Sequence, residues 1–346
     1  MLMKHTAPDP LGSPLPLAAA PMAGGPTTPR LAAAVAEAGA FAFLAGGYKA
    51  PEALAAEIAQ VRRHGAAFGV NLFVPNPSPI SEAEFRRYAR DLQDEADHYG
   101  LDLSQAPLLE DDDRWQHKLD LLLADPVPVV SVTFGLPRPA EVAAVRRAGS
   151  QFLATVTTVE EARAAVDVGA DALVVQGSDA GGHSGTHDPL RAITPTSTEQ
   201  LTRAVIAVTG LPVVAAGGVG GPQDVADLLH AGAAAVAVGT LLLRTAQNGA
   251  SRTHKDALAD PGLTDTVVTR AFTGRPARAL RNRFADRHDA TAPAGYPAIH
   301  HLTRGLRQAA AAAGDPDGVH LWAGTGFRSA TTGSARAVID RLAGRL

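Results

Sequence analysis

The chain has 346 residues, with 31 Lys and Arg against 35 Asp and Glu, a formal charge of −4 and no cysteine. That length suits two ordinary domains or one large α/β barrel with an addition, and the near-neutral charge argues against a nucleic-acid or membrane-surface partner. Without cysteine there is no disulfide scaffold, thiolate zinc, iron–sulfur cluster or cysteine nucleophile, so any redox chemistry needs a cofactor.

The first element is an apolar stretch at 11–20, preceded by Lys4 and interrupted by Pro14 and Pro16. It runs directly into a glycine motif, so it reads as an internal first strand and not as a signal segment. No apolar run reaches the length of about 18 residues that crosses a bilayer, and the expected location is the cytoplasm. Further on, short apolar runs alternate with longer amphipathic stretches. Strands are expected at 17–20, 40–44, 68–72, 127–132, 151–155, 172–176, 212–216 and 234–238, and helices at 29–38, 51–64, 139–148, 158–168, 196–209 and 222–231. Eight βα units predict an α/β fold, a TIM (β/α)8 barrel, with an additional helical lobe. The barrel would span 1–244 with a helical insertion at about 78–125, in which the acidic run Glu110 to Asp113 reads as a solvated loop. Residues 245–316 would form a helical lobe or lid over the barrel mouth, and 317–346 would return to the barrel.

Barrel chemistry sits in the loops after the strands. Strand one is followed by Ala20, Pro21, Met22, Ala23 and the pair Gly24–Gly25, and strand three carries Asn71; their main-chain and amide groups suit the edge of a planar heterocycle. Strand six leads into the segment 176–187, which holds Gln176, Gly181, His183 and His187. His183, flanked by Gly182 and Ser184–Gly185, is expected in a mobile loop where an imidazole near neutrality can act as a base. Its spacing to His187 invites a metal, but the glycines break any helix that would put both rings on one face, and no third ligand is placed, so no metal is expected. After strand seven come Gly217 and Gly218, and after strand eight Gly239 and Thr240 leading into an apolar helix. Open glycine amides with a helix start describe the barrel phosphate site. A phosphate site combined with ring-edge donors points to FMN.

These loops, together with the stretches 129–137, 272–284, 296–303 and 321–326, resemble the nitronate monooxygenases, and their class I branch most. The resemblance runs in order along nearly the whole chain. It implies non-covalent FMN and O2-dependent oxidation of alkyl nitronates, such as propionate 3-nitronate, by one-electron transfer to the flavin without NAD(P)H. It also implies that Ala20, Met22, Gly24, Asn71 and Gln176 line the isoalloxazine, that Gly181 packs against it, and that Gly217, Gly218, Gly239 and Thr240 hold the phosphate. His183 matches the family's active-site histidine, which would either accept the α-proton of a neutral nitroalkane or orient an anionic nitronate. Tyr296 would face the substrate from the lobe. The chain departs from the family at Thr133, where a histidine is frequent, and at Thr325, where a glutamine is common; the expectation is a bulkier or less polar substrate.

The expected partners are a small substrate and O2, with monomer and homodimer both open. The same loops also fit an FMN-dependent NAD(P)H reductase of quinones or enoyl thioesters, a non-redox barrel enzyme holding a sugar phosphate, and a flavin-binding protein without activity.

Overall fold

The computed structural model describes residues 9–76 and 78–346. Lys4 and the rest of 1–8, at the start of the expected barrel unit, lie outside the described residues. In chain order the strands are β1 (Leu17–Ala19), β2 (Phe41–Ala45), β3 (Phe68–Phe73), β4 (Val129–Thr133), β5 (Gln151–Val156), β6 (Ala172–Gln176), β7 (Gly182–His183), β8 (Val213–Ala216), β9 (Ala235–Val238), β10 (Thr266–Thr269) and β11 (Ala277–Leu280). All except β7, β10 and β11 form a closed parallel barrel in sequence order, with Leu17 of β1 opposite Val236 of β9 at the closure. The eight barrel strands fall within two residues of their expected positions.

Both faces of a barrel strand are covered, so the strands are mostly apolar, with polar exceptions that include Asn71, Ser131, Thr133, Thr155 and Gln176. Inside, Ala18, Ala172 and Ala235 share a cluster with Phe41 and Phe43, whose ring centroids are 5.0 Å apart. A Cβ on Gly69 would come within 2.5 Å of the Phe43 ring, so small neighbours are what allow two phenylalanines to fill the interior. Outside, the helices Pro29–Glu37, Pro51–Arg62, Pro139–Arg147 and Pro222–His230 each begin with proline, at a position where no intrahelical N–H is needed. Thr28 and Ser197 cap their helices by accepting from Leu31 N and Gln200 N, each worth about 1 kcal/mol.

The stretch at 78–125 divides between two layers. Helices Glu82–Asp91 and Gln93–Asp97 belong to the lobe, where Phe85, Tyr88 and Leu92 share a buried cluster with Phe272, Phe284 and Leu302. Helix Trp115–Ala124 instead packs on Pro51–Arg62, β3 and Pro139–Arg147. It supplies the crossover that two successive parallel strands require, so it is part of the barrel repeat and not of an insertion.

The acidic run is also not uniformly solvated. Glu110, Asp111 and Asp112 are exposed, but Asp113 accepts the Tyr48 N–H at 2.9 Å and lies 2.7 Å from the Nζ of Lys118, which is 1 % exposed. Tyr48 has φ of +64°, a left-handed conformation that is strained for a tyrosine, and this contact helps hold it. Lys118→Met leaves the half-buried Asp113 carboxylate without its cation and is expected to cost about 1–3 kcal/mol in urea unfolding, part of which the added change Asp113→Asn should recover. An unchanged unfolding midpoint would refute this role.

The lobe is not purely helical. Besides Ala298–Ala313 it carries the antiparallel sheet β10-β11-β7, whose strands of two to four residues are too short to announce themselves in sequence. The last helix, Ala335–Ala343, packs on Pro29–Glu37 and Pro222–His230. Among the described residues no helix is long and apolar enough to cross a membrane.

Candidate active site

The C-terminal strand ends and the lobe enclose a cavity of about 640 Å³, within the range of small-molecule and cofactor sites. Ala20, Met22, Gly24, Asn71, Thr133, Gln176, Gly181, His183, Gly217, Gly218, Gly239 and Thr240 all line it.

On one side, Gly217 and Gly218 have φ of +115° and +78°, and a Cβ on Gly217 would come 2.9 Å from Ala180 N. Among the described residues, the amides of Gly217, Gly218, Gly239 and Thr240 are taken up by no hydrogen bond. That is the donor set an anion needs. The apolar helix expected after Thr240 is only the 3₁₀ turn Thr240–Leu242, so no helix dipole acts here, and the Thr240 hydroxyl accepts from Gly324 N at 2.9 Å.

At the strand ends, Asn71 Nδ2 donates to Ser131 Oγ at 2.9 Å and to Thr133 Oγ1 at 3.1 Å, and Thr133 Oγ1 is 3.3 Å from Thr155 Oγ1. These side chains form a polar ladder across β3, β4 and β5. Gln176 braces the next loop, donating from Nε2 to His183 O at 3.1 Å and accepting Gly185 N at 2.6 Å.

His183 is not in a mobile loop. It lies in β7, opposite Ala277 of β11, with its ring among Phe134, Tyr296 and Trp322 at centroid distances of 5.7, 5.8 and 5.3 Å. Burial, reinforced by the positive charges of Arg275 and Arg307, pushes the imidazole down to about 3. At neutral pH the ring is therefore uncharged and too weakly basic for the expected role as a base poised near neutrality. Its Nε2 lies 2.9 Å from Thr273 Oγ1, whereas the His187 Nε2 lies 3.0 Å from Thr155 O, so the two histidines serve separate partners.

Two expected pocket residues are placed differently. Tyr296 does not line the cavity; it is buried behind His183 and donates its hydroxyl to Tyr48 Oη at 3.3 Å. Thr325 is exposed, because the 3₁₀ turn Thr325–Ser329 directs its amide to Asp179 O at 3.1 Å and leaves Gly324 and Gly326 against the cavity.

The sequence reading missed most of the cavity's charge. Among the described residues, Lys49, Arg304 and Arg307 line it without any carboxylate, and of these three only Lys49 is ion-paired, with Glu57 at 2.5 Å. Arg307 donates to Thr303 Oγ1 at 3.1 Å and His300 O at 2.9 Å, and the His300 ring stacks on Tyr48 at 4.1 Å. Arg275 is fully buried with its guanidinium 3.9 Å over Phe134; it donates to Thr186 O, but among the described residues its Nε and Nη1 have no hydrogen-bond partner. Buried charge without a counter-charge is costly, so a cavity built this way favours a bound anion. Arg275 and His300 lay inside stretches that carried the family resemblance, whereas Tyr48 and Arg307 had no local signal.

A pH dependence follows. Burial holds His183 at about 3 and His254 at about 4, and lowers His300 and His320 well below their ordinary value, against about 6.5 when unfolded. The unfolded chain therefore binds more protons in the window below about 6.5, and stability present above it is lost as pH falls toward the folded values. By about pH 5 the slope of unfolding free energy is expected to exceed one proton's worth, about 1.4 kcal/mol per pH unit. A flat profile between about pH 7 and 5 in thermal or urea unfolding would contradict it.

Comparison with known proteins gives a consistent picture. A family model described as nitronate monooxygenase matches residues 14–344. A curated relative, the probable nitronate monooxygenase of Staphylococcus aureus, is 33% identical over 94% of this chain and 93% of its own. Among solved structures, the nitroalkane oxidase of Streptomyces ansochromogenes is 46% identical, with a TM-score of 0.91 over 96% of both chains. FabK of Thermotoga maritima shares the fold at 23% identity, with a TM-score of 0.74 over 99% of this chain and 95% of its own.

Proposed function

The chain belongs to the nitronate monooxygenase family and is an oxidoreductase, and from that premise we propose that it uses FMN and O2 to oxidise alkyl nitronates, such as propionate 3-nitronate, to a carbonyl compound and nitrite. The observation that carries the reading is a cavity that joins four unengaged glycine-loop amides to a cationic wall free of carboxylates. Such a site suits two anions, a cofactor phosphate and a nitronate.

The residues present fit FMN. Gly217, Gly218, Gly239 and Thr240 would hold its phosphate through their amides, and Ala20, Met22, Gly24, Asn71, Gln176 and Gly181 would surround its ring. When bound, the flavin would accept electrons from the substrate and pass them to oxygen. The protein's own part is to bind, orient and exclude water. His183, neutral and buried, would offer a hydrogen bond to the substrate, while Arg275 and Arg307 bias the site toward negative charge. Phe134 and Trp322 close the wall around the imidazole. Thr133 continues a hydrogen-bonded ladder and Arg304, Arg307 and Gln308 add polar groups, while Phe73, Phe134, Leu243 and Trp322 offer apolar surface, so the lining has partners for both the charged head and a bulkier, less polar body of a substrate.

The decisive experiment is a visible spectrum of the purified protein, with release and identification of the flavin, followed by oxygen uptake with propionate 3-nitronate in the presence and absence of NADPH. A yellow protein with nitronate-driven uptake indifferent to NADPH is expected. Rapid anaerobic bleaching by NADPH without nitronate turnover would replace the reading with a reductase, and a colourless protein that binds no added flavin would remove FMN.

A further inference from the structure

Thr273 stands in the turn between β10 and β11 and is 1 % exposed, so water does not compete for its hydroxyl. Its Oγ1 lies 2.9 Å from His183 Nε2, 3.4 Å from the Arg275 amide nitrogen, which donates to it, and 3.3 Å from Arg275 O. A hydroxyl has one proton to give and can accept as well. With the Arg275 N–H on its acceptor side, its proton has two places to go, Arg275 O at 3.3 Å and His183 Nε2 at 2.9 Å, and the shorter contact is the one to Nε2. An uncharged imidazole that accepts at Nε2 carries its own proton on Nδ1. Among the described residues Nδ1 has no hydrogen-bond partner, and the ring lines the cavity.

We propose that Thr273 is a positioning residue that holds His183 as the Nδ1–H tautomer, so that the ring donates to an anionic nitronate and has no free lone pair with which to take a proton from a neutral nitroalkane. The inference rests on the nitronate reading above and deepens it, since it assigns the choice between two substrate classes to one hydroxyl. The surrounding charge agrees. Proton abstraction would leave an imidazolium near the guanidiniums of Arg275 and Arg307, neither of which has a carboxylate ion-pair partner among the described residues, whereas a nitronate brings the missing negative charge.

The test combines nitrogen NMR with turnover. In protein carrying 15N-labelled histidine, with His183 identified by its loss in His183→Asn, the proton is expected on Nδ1. Thr273→Val should remove that preference and lower kcat/KM for propionate 3-nitronate about tenfold, the worth of one hydrogen bond, without lowering turnover of neutral nitroethane. Thr273→Ser should restore both the tautomer and the ratio between the substrates. A proton on Nε2 in the unaltered protein, or a Thr273→Val variant with tautomer and substrate ratio unchanged, overturns the inference while leaving nitronate oxidation standing. If Thr273→Val does not fold, the tautomer of the unaltered protein decides. Failure of the unaltered protein to oxidise either compound overturns the nitronate reading, and the substrate half of this inference with it.

Discussion

His183→Asn is expected to lower kcat/KM for propionate 3-nitronate by about 10²–10³-fold while leaving flavin content and the unfolding midpoint nearly unchanged. The size follows from the role. In the role proposed for it, a buried, neutral imidazole against the nitronate would contribute as an oriented hydrogen-bond donor, and loss of one such donor in a water-poor site costs that much. The asparagine keeps a polar group of similar reach but loses the ring packing against Phe134, Tyr296 and Trp322 that fixes its direction. Because burial and the two guanidiniums hold the ring at about 3, the unaltered enzyme should show no histidine ionisation in kcat/KM between about pH 5 and 8, and activity tied to the neutral ring should fail only as pH drops toward that value. Normal turnover by His183→Asn would remove this histidine from the chemistry.

Gly181→Val is expected to yield protein with little bound flavin. A Cβ at this position would sit 2.4 Å from Gly324 N and 2.5 Å from the Ala323 carbonyl carbon, and neither backbone atom can swing aside as a side chain could. The segment linking β6 to β7 would have to part from 323–324, and that segment carries His183 at one end and touches the Gly217 loop through Ala180 at the other. Overpacking of this kind costs about 1–3 kcal/mol, which, levied on the bound form, weakens cofactor affinity by about 5- to 150-fold. Equilibrium titration of the stripped protein with FMN reads this directly. Affinity equal to that of the unaltered chain would show that the 181–324 contact does not shape the cofactor site.

How far the site was legible varies residue by residue. Gly217, Gly218, Gly239 and Thr240 could be placed because barrel topology fixes which loops meet, and a glycine run after a strand is visible as a local pattern. Asn71 and Gln176 were placed for the same reason, but their roles were not: the partners that engage their amides, Ser131 and Thr133 in one case and Gly185 with the His183 carbonyl in the other, come from the fold. Thr325 was misplaced because a motif fixes the backbone path and not which side of a turn faces the cavity.

By itself, the sequence determined the eight strands, six of the helices around them, the order of the loops and the histidine that faces the cavity, since each depends on periodicity or on residues close together in the chain, whereas the helix Trp115–Ala124 was assigned to the barrel ring only by its packing. Only the tertiary structure decided that this histidine is neutral. Its state depends on burial and on Arg275 and Arg307, which stand 92 and 124 residues away in sequence, and on Thr273, which is 90 residues away. Electrostatic energy depends on distance in space and on the surrounding dielectric, and neither is written in the local order of residues.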